Sequence, residues 1–474
     1  MLNSYQEFVT AELTGLYGSA VLQEMNDILK LYDIYEGREN FIDKTEDKDY
    51  TQTEKKTNLI KKLIKEESRF LFGKTPELYI QPKNDTEVDK DKAEEINLYL
   101  GKILKDNLFS EKLVKGARDC FIGKRTAIKL YANQDTKEIR IMFLPSLEFI
   151  YESDEENPNE LKKIIFFYQT NKEIEKDKQR IWKQKYEMIE GRCILNEGIY
   201  NGNGILIEPI NVDVDLQLSG IPCYVIINDG LSGDPFGESD VKELLDNQVQ
   251  YNRLSSEDID SLRKGMDRII YGVDIDPEAS ENFKLKPGAY WDVPTDPTAE
   301  GKQATLGTIP TDFGYGDKIE NSLKRIKSDM YEILNIPMLS NDELKGMMTS
   351  GKTMKALYWQ LITRCEEKMM AWRPALEWLV RAILEITEVY NIEKLPQLDY
   401  TVTVENNYPL QEDEDEEKAL DLQQVSAQAM SRKTFIKKWQ GVTDDVADAE
   451  IRQIALEREM LEESYISGMS DPVE

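Results

Sequence analysis

One stretch of the sequence matches a nucleotide-binding motif. Residues Gly346 to Thr353, with the sequence GMMTSGKT, fit the P-loop pattern G-x-x-x-x-G-K-T, in which backbone amides cradle phosphates and the lysine reaches the terminal phosphates. Such a loop needs an apolar strand that runs directly into the first glycine, because strand end and helix start together aim the amides at the ligand. The preceding residues, Ser340 to Lys345, are polar except for Leu344 and do not form such a strand. Nucleotide binding is therefore kept only as an alternative.

Other catalytic chemistry finds little support in the composition. The chain has no histidine, which removes Ser-His-Asp and Cys-His nucleophile systems and histidine metal ligands. Its cysteines are scattered, which predicts reduced thiols without zinc or disulfide frameworks: Cys120, Cys193, Cys223 and Cys365. Acidic pairs occur by chance among 90 Asp and Glu residues, so their spacing does not support a two-metal nuclease. We predict no catalytic residue, no cofactor, no metal site and no enzymatic activity.

Length and charge narrow the class of protein further. A chain of 474 residues predicts two or more domains. The formal net charge of -30 argues against tight generic nucleic-acid binding, yet it allows DNA to slide past a surface that repels it. Residues Met1 to Tyr17 lack the pattern of a signal peptide, and no apolar run is long enough to cross a bilayer, so no membrane association is predicted.

Apolar periodicity in the first half predicts an α+β fold. Helices are predicted at 19–35, 55–72, 88–104, 110–121 and 240–264, and strands at 126–131, 139–143, 161–168, 180–187, 192–195, 205–208 and 223–227. We expect residues 43–56 to form a charged, mobile connection. The helix at 240–264 is thinly apolar, which predicts that most of its sides face solvent. A short strand-rich module, 266–312, follows that helix.

Two later helices carry narrow apolar seams. In the first, residues recur at spacings of three and four, and Asn335-Ile336-Pro337 ends the pattern: Ile319, Leu323, Ile326, Met330 and Ile333. The second helix runs from Met354 to Tyr390 with the same spacing, and Pro374 predicts a kink in its middle. Neither seam is wide enough for an ordinary core, so both are predicted to be completed by identical neighbours in a ring. A strand at 400–405 and helices at 416–430, 432–439 and 443–461 follow.

The order and spacing of several segments resemble the portal proteins of tailed bacteriophages, in the branch typical of phages of Gram-positive hosts. The resemblance extends from about Leu31 to Tyr408. It rests on Leu31 to Gly37, Asn58 to Pro76, Gly220-Ile221-Pro222 with its apolar strand, Ser239 to Lys242, Asp246 to Asn252 and Ser350 to Lys355. The resemblance implies that the match to the P-loop pattern is a coincidence, because it places this segment at the start of a long helix.

The resemblance implies a portal fold with an α/β wing, a two-helix stem, a small β-rich clip, a long kinked helix and an α-helical crown. The implied boundaries are wing 1–236, first stem helix 237–265, clip 266–312, second stem helix 313–337, tunnel loop 338–352, long kinked helix 353–399, and crown and C-terminal helices 400–474. Within the clip, Tyr290 and Trp291 are the implied site residues.

The resemblance also implies a structural role at one capsid vertex of the virion. A dodecameric ring, assembled in the host cytoplasm, would form the channel through which double-stranded DNA is packaged and ejected. Its implied partners are the terminase, the major capsid or scaffolding protein and a head-completion adaptor. The segment implied to face DNA is the tunnel loop with Lys345, Gly346, Met347, Met348, Thr349, Ser350, Gly351 and Lys352.

The lysines of the tunnel loop suggest a hypothesis of their own. Lys345, Lys352 and Lys355 could give a weak local grip on phosphates within a repulsive channel. The alternative is that they are solvated or paired with neighbouring acids such as Glu343. Two other functions stay open from sequence: a P-loop nucleotide triphosphatase, and an elongated helical scaffold without a channel.

Overall fold

A computed structural model of the protein describes most of the chain. The described residues are 19–38, 51–133, 136–154, 157, 160–173, 175–231, 234, 236–266, 270–276, 293–298, 301, 303–308, 314–338, 351–410 and 414–468. This part contains both helices and strands, which confirms the predicted mixture of helix and sheet.

Helices dominate the start of the chain and strands follow. In chain order the elements up to residue 227 are α1 Ser19–Glu36, α2 Leu59–Phe72, β1 Glu77–Pro82, α3 Glu87–Asp106, α4 Phe109–Gly123, β2 Arg125–Asn133, β3 Glu138–Pro145, β4 Phe149–Ser153, β5 Leu161–Gln169, β6 Ile181–Ile189, β7 Arg192–Tyr200, β8 Leu206–Asp215 and β9 Cys223–Ile227. Each element predicted in this region is present; most ends differ by a few residues, whereas β7 and β8 continue five and seven residues beyond their predicted ends.

The rest of the chain is mainly helical. Its elements are α5 Asp240–Met266, β10 Ile270–Val273, β11 Thr305–Thr308, α6 Gly316–Ile333, α7 Gly351–Leu357, α8 Trp359–Val389, β12 Tyr400–Glu405, α9 Glu414–Ser426, α10 Arg432–Gln440 and α11 Asp444–Gly468. The predicted helix from Met354 to Tyr390 is thus two helices, with a break at Tyr358. Pro374 lies inside α8, which continues through it as a helix; the kink stays a prediction.

The described strands form four antiparallel sheets. Five consecutive strands build a meander in the order β4-β5-β6-β7-β8, and β2 lies between β3 and β9. The remaining strands pair as β10 with β11 and β1 with β12. The sequence did not reveal β1 or β4. For β1 the reason is physical, because its only described partner is β12, more than 300 residues away in the chain, and such a pairing leaves no local signal.

The meander packs with helices and with the smaller sheet. Phe149, Phe166 and Tyr186 pack with Ala127 of β2 and Cys223 of β9 in one buried cluster. A second cluster joins Ile28 of α1 to strands β4, β5 and β6. The N-terminal helix is therefore an integral part of this α+β core.

Two compact units divide the chain. The first consists of Met1–Met338 with Gln360–Pro409 and contains the core just described. The second consists of Leu339–Trp359 and Leu410–Glu474. In the described part of the second unit, α10 packs against α9 and α11, and Lys438 and Trp439 both donate to Asp421.

The long helix α8 does not behave as the sequence predicts. All of its seam positions between residues 361 and 386 are buried by the chain itself: Leu361, Cys365, Met369, Trp372, Leu376, Leu379, Ile383 and Ile386. The Trp372 ring lies 4.9 Å from the Phe72 ring and 6.3 Å from the Phe143 ring, centroid to centroid. The prediction that neighbouring copies complete this seam is wrong over these residues, because the chain itself buries them. For Trp372, α2 and β3 supply the partners.

Candidate functional site

The two predicted stem helices correspond to α5 and α6, which pack against each other. In the described residues between them, β10 pairs with β11 in the register Ile270↔Thr308 to Val273↔Thr305. The assignment of these elements to a stem and a clip stays a prediction.

The seam of α6 is only partly covered by the described part of the chain. Met330 is buried, whereas four positions stay partly exposed: Ile319, Leu323, Ile326 and Ile333. The helix ends where predicted, since Asn335 adopts φ of 55°, a left-handed conformation that asparagine tolerates better than most residues. An apolar stripe of this kind is typical of a helix that packs against a further partner.

The other predicted site residues fall at the margin of the described chain. Lys345 to Ser350 of the tunnel loop, and Tyr290 and Trp291 of the clip, lie outside the described residues. Gly351 and Lys352 begin helix α7. Their assignments therefore stay predictions.

One face of α5 carries a ladder of buried polar side chains. Gln248, Asn252, Ser256 and Asp260 lie four residues apart on the helix, and each is less than 8% exposed. Residues at this spacing share one face of a helix and rise by about 6 Å per step. Polar groups buried in this way require hydrogen-bond partners.

The partners are backbone amides of residues 51–58, a segment that we call the strap, and of the first residues of α2. Each backbone N–H donates to a side-chain oxygen of the ladder: Thr53 N to Asp260 (3.1 Å), Lys55 N to Ser256 (2.9 Å), Thr57 N to Asn252 (3.0 Å), and Leu59 N to Gln248 (2.8 Å). Alternate amides of an extended chain are spaced by about 6.6 Å, which is close to the helical step. The strap and α5 therefore match in period and run in opposite directions.

This ladder corrects three expectations. The described part of the predicted mobile connection, from residue 51 onward, is bonded to α5, and α2 begins at Leu59 rather than at Lys55. The polar face of α5 is covered by backbone rather than by solvent. A single hydrogen bond contributes about 1 kcal/mol, so a series of four holds the strap firmly.

The start of α5 is fixed by a buried ion cluster, which consists of Glu67, Asp240, Glu243, Arg364 and Lys368. Arg364 of α8 donates to Glu67 of α2 at 2.8 Å and to Asp240 of α5 at 3.0 Å. Lys368 contacts both carboxylate oxygens of Asp240, at 2.8 and 3.1 Å. The cluster joins three helices that are far apart in sequence. Since Asp240 is the first residue of α5, its charge also complements the helix N-terminus.

Burial sets the electrostatics of the cluster. Burial first, and the charge of Asp240 second, raise the pKa of Glu67. Burial alone lowers the pKa of Lys368, but the charges of Asp240 and Glu67 outweigh it and raise the pKa. With three acids and two bases the cluster has a formal charge of -1, and Glu67 Oε2 has no hydrogen-bond partner among the described residues. Ionisation of Glu67 is therefore disfavoured in the folded chain.

A capping interaction is present at this helix start. Ser239 Oγ accepts a hydrogen bond from Val241 N at 3.2 Å and donates one to Ile122 O at 2.7 Å. Lys368 also donates to Asn228 Oδ1 at 2.9 Å. These hydrogen bonds and ion pairs anchor the first turn of α5 to α4, α8 and the end of β9. They hold the helix in position and do not suggest a catalytic role.

The thiols show no sign of activation. All four cysteines are buried and free. Burial raises the pKa of Cys193 to about 12 and that of Cys120 further, which disfavours the nucleophilic thiolate. No described helix is both long and apolar enough to cross a membrane.

Sequence reasoning missed both the ladder and the ion cluster. The ladder has a readable signal, because hydrogen-bonding residues recur at every fourth position from Gln248 to Asp260. The ion cluster has a weaker one: Arg364 and Lys368 are four residues apart beside the apolar seam of α8. Their acidic partners on α2 and α5 could be identified only once the helices were packed.

Comparison with known proteins places this architecture in a family. The model of the family described as phage portal protein, SPP1 Gp6-like, matches residues 19–464. No curated protein matches the chain. The match includes the strap, the helix pair α5 and α6, the ion cluster and α8. The chain therefore belongs to the phage portal protein family of the SPP1 Gp6-like type.

Proposed function

We propose that this chain forms a dodecameric portal ring at one vertex of a phage capsid and serves as the channel for double-stranded DNA. The family is structural and forms homo-oligomeric rings associated with the capsid for DNA packaging. The observation that carries the proposal in this chain is the partly covered seam of α6. A repeated helix pair in a ring supplies each seam with an identical neighbour.

The remaining parts are assigned by analogy with the family. We propose residues 1–236 as the wing, the α5 and α6 pair as the stem, 266–312 as the clip that meets the terminase and later a head-completion protein, and 400–474 as the crown. Major capsid or scaffolding protein would surround the ring, which assembles in the host cytoplasm. A phage of a Gram-positive host is the proposed source.

Charge supports a channel through which DNA passes without sticking. Each copy carries a formal charge of -30, so a ring of identical copies repels phosphates along much of its surface. Within that ring the tunnel-loop lysines Lys345 and Lys352 are proposed to grip DNA weakly. Reversing both charges should then reduce packaging or retention of DNA, and unchanged packaging and retention would exclude the grip.

Imaging purified full-length protein end-on tests the proposal. Rings with a central hole are expected, whereas rods or small oligomers would favour a helical scaffold. Ile326→Lys should abolish rings because it places a charge in the α6 seam, while Asn321→Lys, on an exposed position of the same helix, should preserve them. ATP binding that is lost in Lys352→Ala would favour a nucleotide triphosphatase instead.

A further inference from the structure

The segment that contains the strap lysines and α2 is locally basic although the whole chain is acidic. Residues 55–74 contain only two acids, Glu66 and Glu67, beside a larger set of basic residues: Lys55, Lys56, Lys61, Lys62, Lys65, Arg69 and Lys74. The formal net charge of the chain is -30, so this segment is opposite in sign to the average. Glu67 does not offset the charge at the surface, because it is buried in the ion cluster.

One side of α2 carries this positive charge. Lys61, Lys65 and Arg69 lie four residues apart, which places them on one side of the helix, and Lys62 lies next to Lys61. We call these four residues the basic face. The opposite side of α2 is buried in the core, so the basic face is the side that a partner can contact.

The chain neutralises only part of the basic face. Two of its members are paired: Lys61 with Glu36 at 2.8 Å, and Lys62 with Glu66 at 3.6 Å. Lys65 and Arg69 form no ion pair with any residue in the part of the chain that the structure describes. Two adjacent positive charges therefore remain to be matched by carboxylates from outside the described chain.

The basic face lies beside the helix pair of α5 and α6. The Lys62 ammonium is 5.6 Å from the centre of the Tyr331 ring on α6. Tyr331 is within one helical turn of Met330 and Ile333, the last two residues of the α6 seam. The strap, which precedes α2, is hydrogen-bonded along α5. The basic face and the α6 seam thus meet near the C-terminal end of α6.

The charge of the chain indicates which partner fits this face. Portal proteins form homo-oligomeric rings, and each copy of this chain carries a formal charge of -30. Copies with the same net charge repel each other on average, so contacts between them need local patches of opposite sign. The basic face supplies a positive patch, and 90 Asp and Glu residues in each copy supply negative ones. Contacts around a ring join two different surfaces, so one can be basic and the other acidic.

We propose that the basic face of α2 binds carboxylates of the neighbouring copy, next to the contact made by the α6 seam. The inference rests on the ring proposed above and adds an electrostatic contact to the apolar one. Salt screens ion pairs at a surface, so ring formation should weaken as the salt concentration rises.

Charge reversal tests the contact in purified protein that is free of DNA. Lys65→Glu/Arg69→Glu should raise the chain concentration at which half of the protein is in rings by about tenfold or more, because attraction becomes repulsion at every contact. Sedimentation velocity on a dilution series measures the fraction in rings. High salt should reduce the difference between the variant and the wild type.

Matched variants separate the contact from general effects of charge and folding. Lys102→Glu/Lys105→Glu makes the same change of charge at exposed positions of α3 and should form rings like the wild type. The swap Lys65→Arg/Arg69→Lys keeps the charge and should also form rings. Lys65→Gln/Arg69→Gln removes the charge without adding acids, so it should give a smaller loss of rings than the reversal. Circular dichroism should show the wild-type fold in each variant.

Crosslinking identifies the partner of the basic face. A carbodiimide joins a lysine amine to a carboxylate that lies in contact with it, and rings assembled from isotopically heavy and unlabelled chains distinguish links between copies from links within one copy. Lys65 should be linked to an aspartate or glutamate of a chain with the other label. The Lys65→Arg/Arg69→Lys variant should lose this link and keep its rings.

Three outcomes would overturn the inference. Rings formed by Lys65→Glu/Arg69→Glu as readily as by the wild type, or Lys65 links confined to single chains, would refute the contact and leave the ring itself supported. Weaker DNA binding by the reversal variant with unchanged rings would assign the basic face to nucleic acid. A wild-type protein that forms no rings would refute the proposed ring together with this contact.

Discussion

Helices α6 and α8 carry the same apolar spacing but lie in opposite environments. In α8 the seam from Leu361 to Ile386 is buried by the chain, and its largest member, Trp372, is 1% exposed. In α6 four of the five seam residues stay partly exposed. Spacing of three and four therefore shows that a helix has a contact face, and it does not show whether the contact is within the chain or with another copy.

The difference follows from what each helix meets in the fold. The α8 seam contains a tryptophan that packs against the rings of Phe72 and Phe143. Helix α6 packs mainly on α5, whose polar ladder is already covered by the strap. One helix is thus part of the core, and we propose that the other contacts neighbouring copies.

The largest expected effect on the free energy of unfolding comes from the buried seam of α8. Trp372→Ala should lower the free energy of unfolding by about 3–5 kcal/mol, because it leaves a cavity between α8, α2 and β3. Chemical denaturation followed by circular dichroism measures the change. Trp359→Ala, at a position 66% exposed, is the control and should change stability by less than about 0.5 kcal/mol. Similar losses for both variants would show that α8 is not a core helix.

The ladder on α5 should give the next largest effect. Asn252→Ala leaves the amide of Thr57 without its acceptor and should cost about 1–3 kcal/mol. Hydrogen exchange should show faster exchange in the strap than in the wild type. Gln250→Ala, on an exposed position of the same helix, should leave the exchange unchanged. Unaltered strap exchange in Asn252→Ala would contradict the ladder.

A smaller effect depends on pH. Because the pKa of Glu67 is raised in the folded chain, its contribution to stability is complete below the ordinary glutamate pKa and is lost as pH rises through the raised value. Glu67→Gln cannot titrate, so the stability advantage of the wild type over this variant should shrink between pH 4 and pH 8. Thermal unfolding across this range measures it.

The control for the pH experiment is the adjacent glutamate. Glu66 pairs loosely with Lys62, at 3.6 Å, and lies outside the ion cluster. The difference in stability between the wild type and Glu66→Gln should not follow the trend seen with Glu67→Gln. An advantage of the wild type over Glu67→Gln that grows with pH would reverse the sign assigned to Glu67.

A substitution in the α6 seam should have the smallest effect on folding and the largest effect on assembly. Leu323→Ser removes a partly exposed seam residue of α6 and should cost the isolated chain roughly 1 kcal/mol or less. Sedimentation velocity should nevertheless show a strong loss of rings, since the same residue would recur at every contact of a ring. If Leu323→Ser lost as much stability as Trp372→Ala and still formed rings, the proposed difference between the roles of α6 and α8 would be wrong.

The sequence by itself determined the elements that depend on local patterns. The hydrophobic periodicities located α6, the strands of the meander other than β4, and the end of α6 at Asn335-Ile336-Pro337, because these signals lie within a few residues of one another. The order of segments such as Asn58 to Pro76 and Ser239 to Lys242 was also sufficient to indicate the family, which the match over residues 19–464 confirms.

Only the tertiary structure decided which faces are covered and by what. The strap and its ladder join residues about 200 positions apart, and the ion cluster brings Glu67 to Arg364, 297 positions away. Strand β1 likewise depends on β12. Burial and hydrogen bonding between such distant residues are properties of the packed chain, so the same apolar or polar spacing could lead to a core, to a covered polar face or to a surface that awaits a partner.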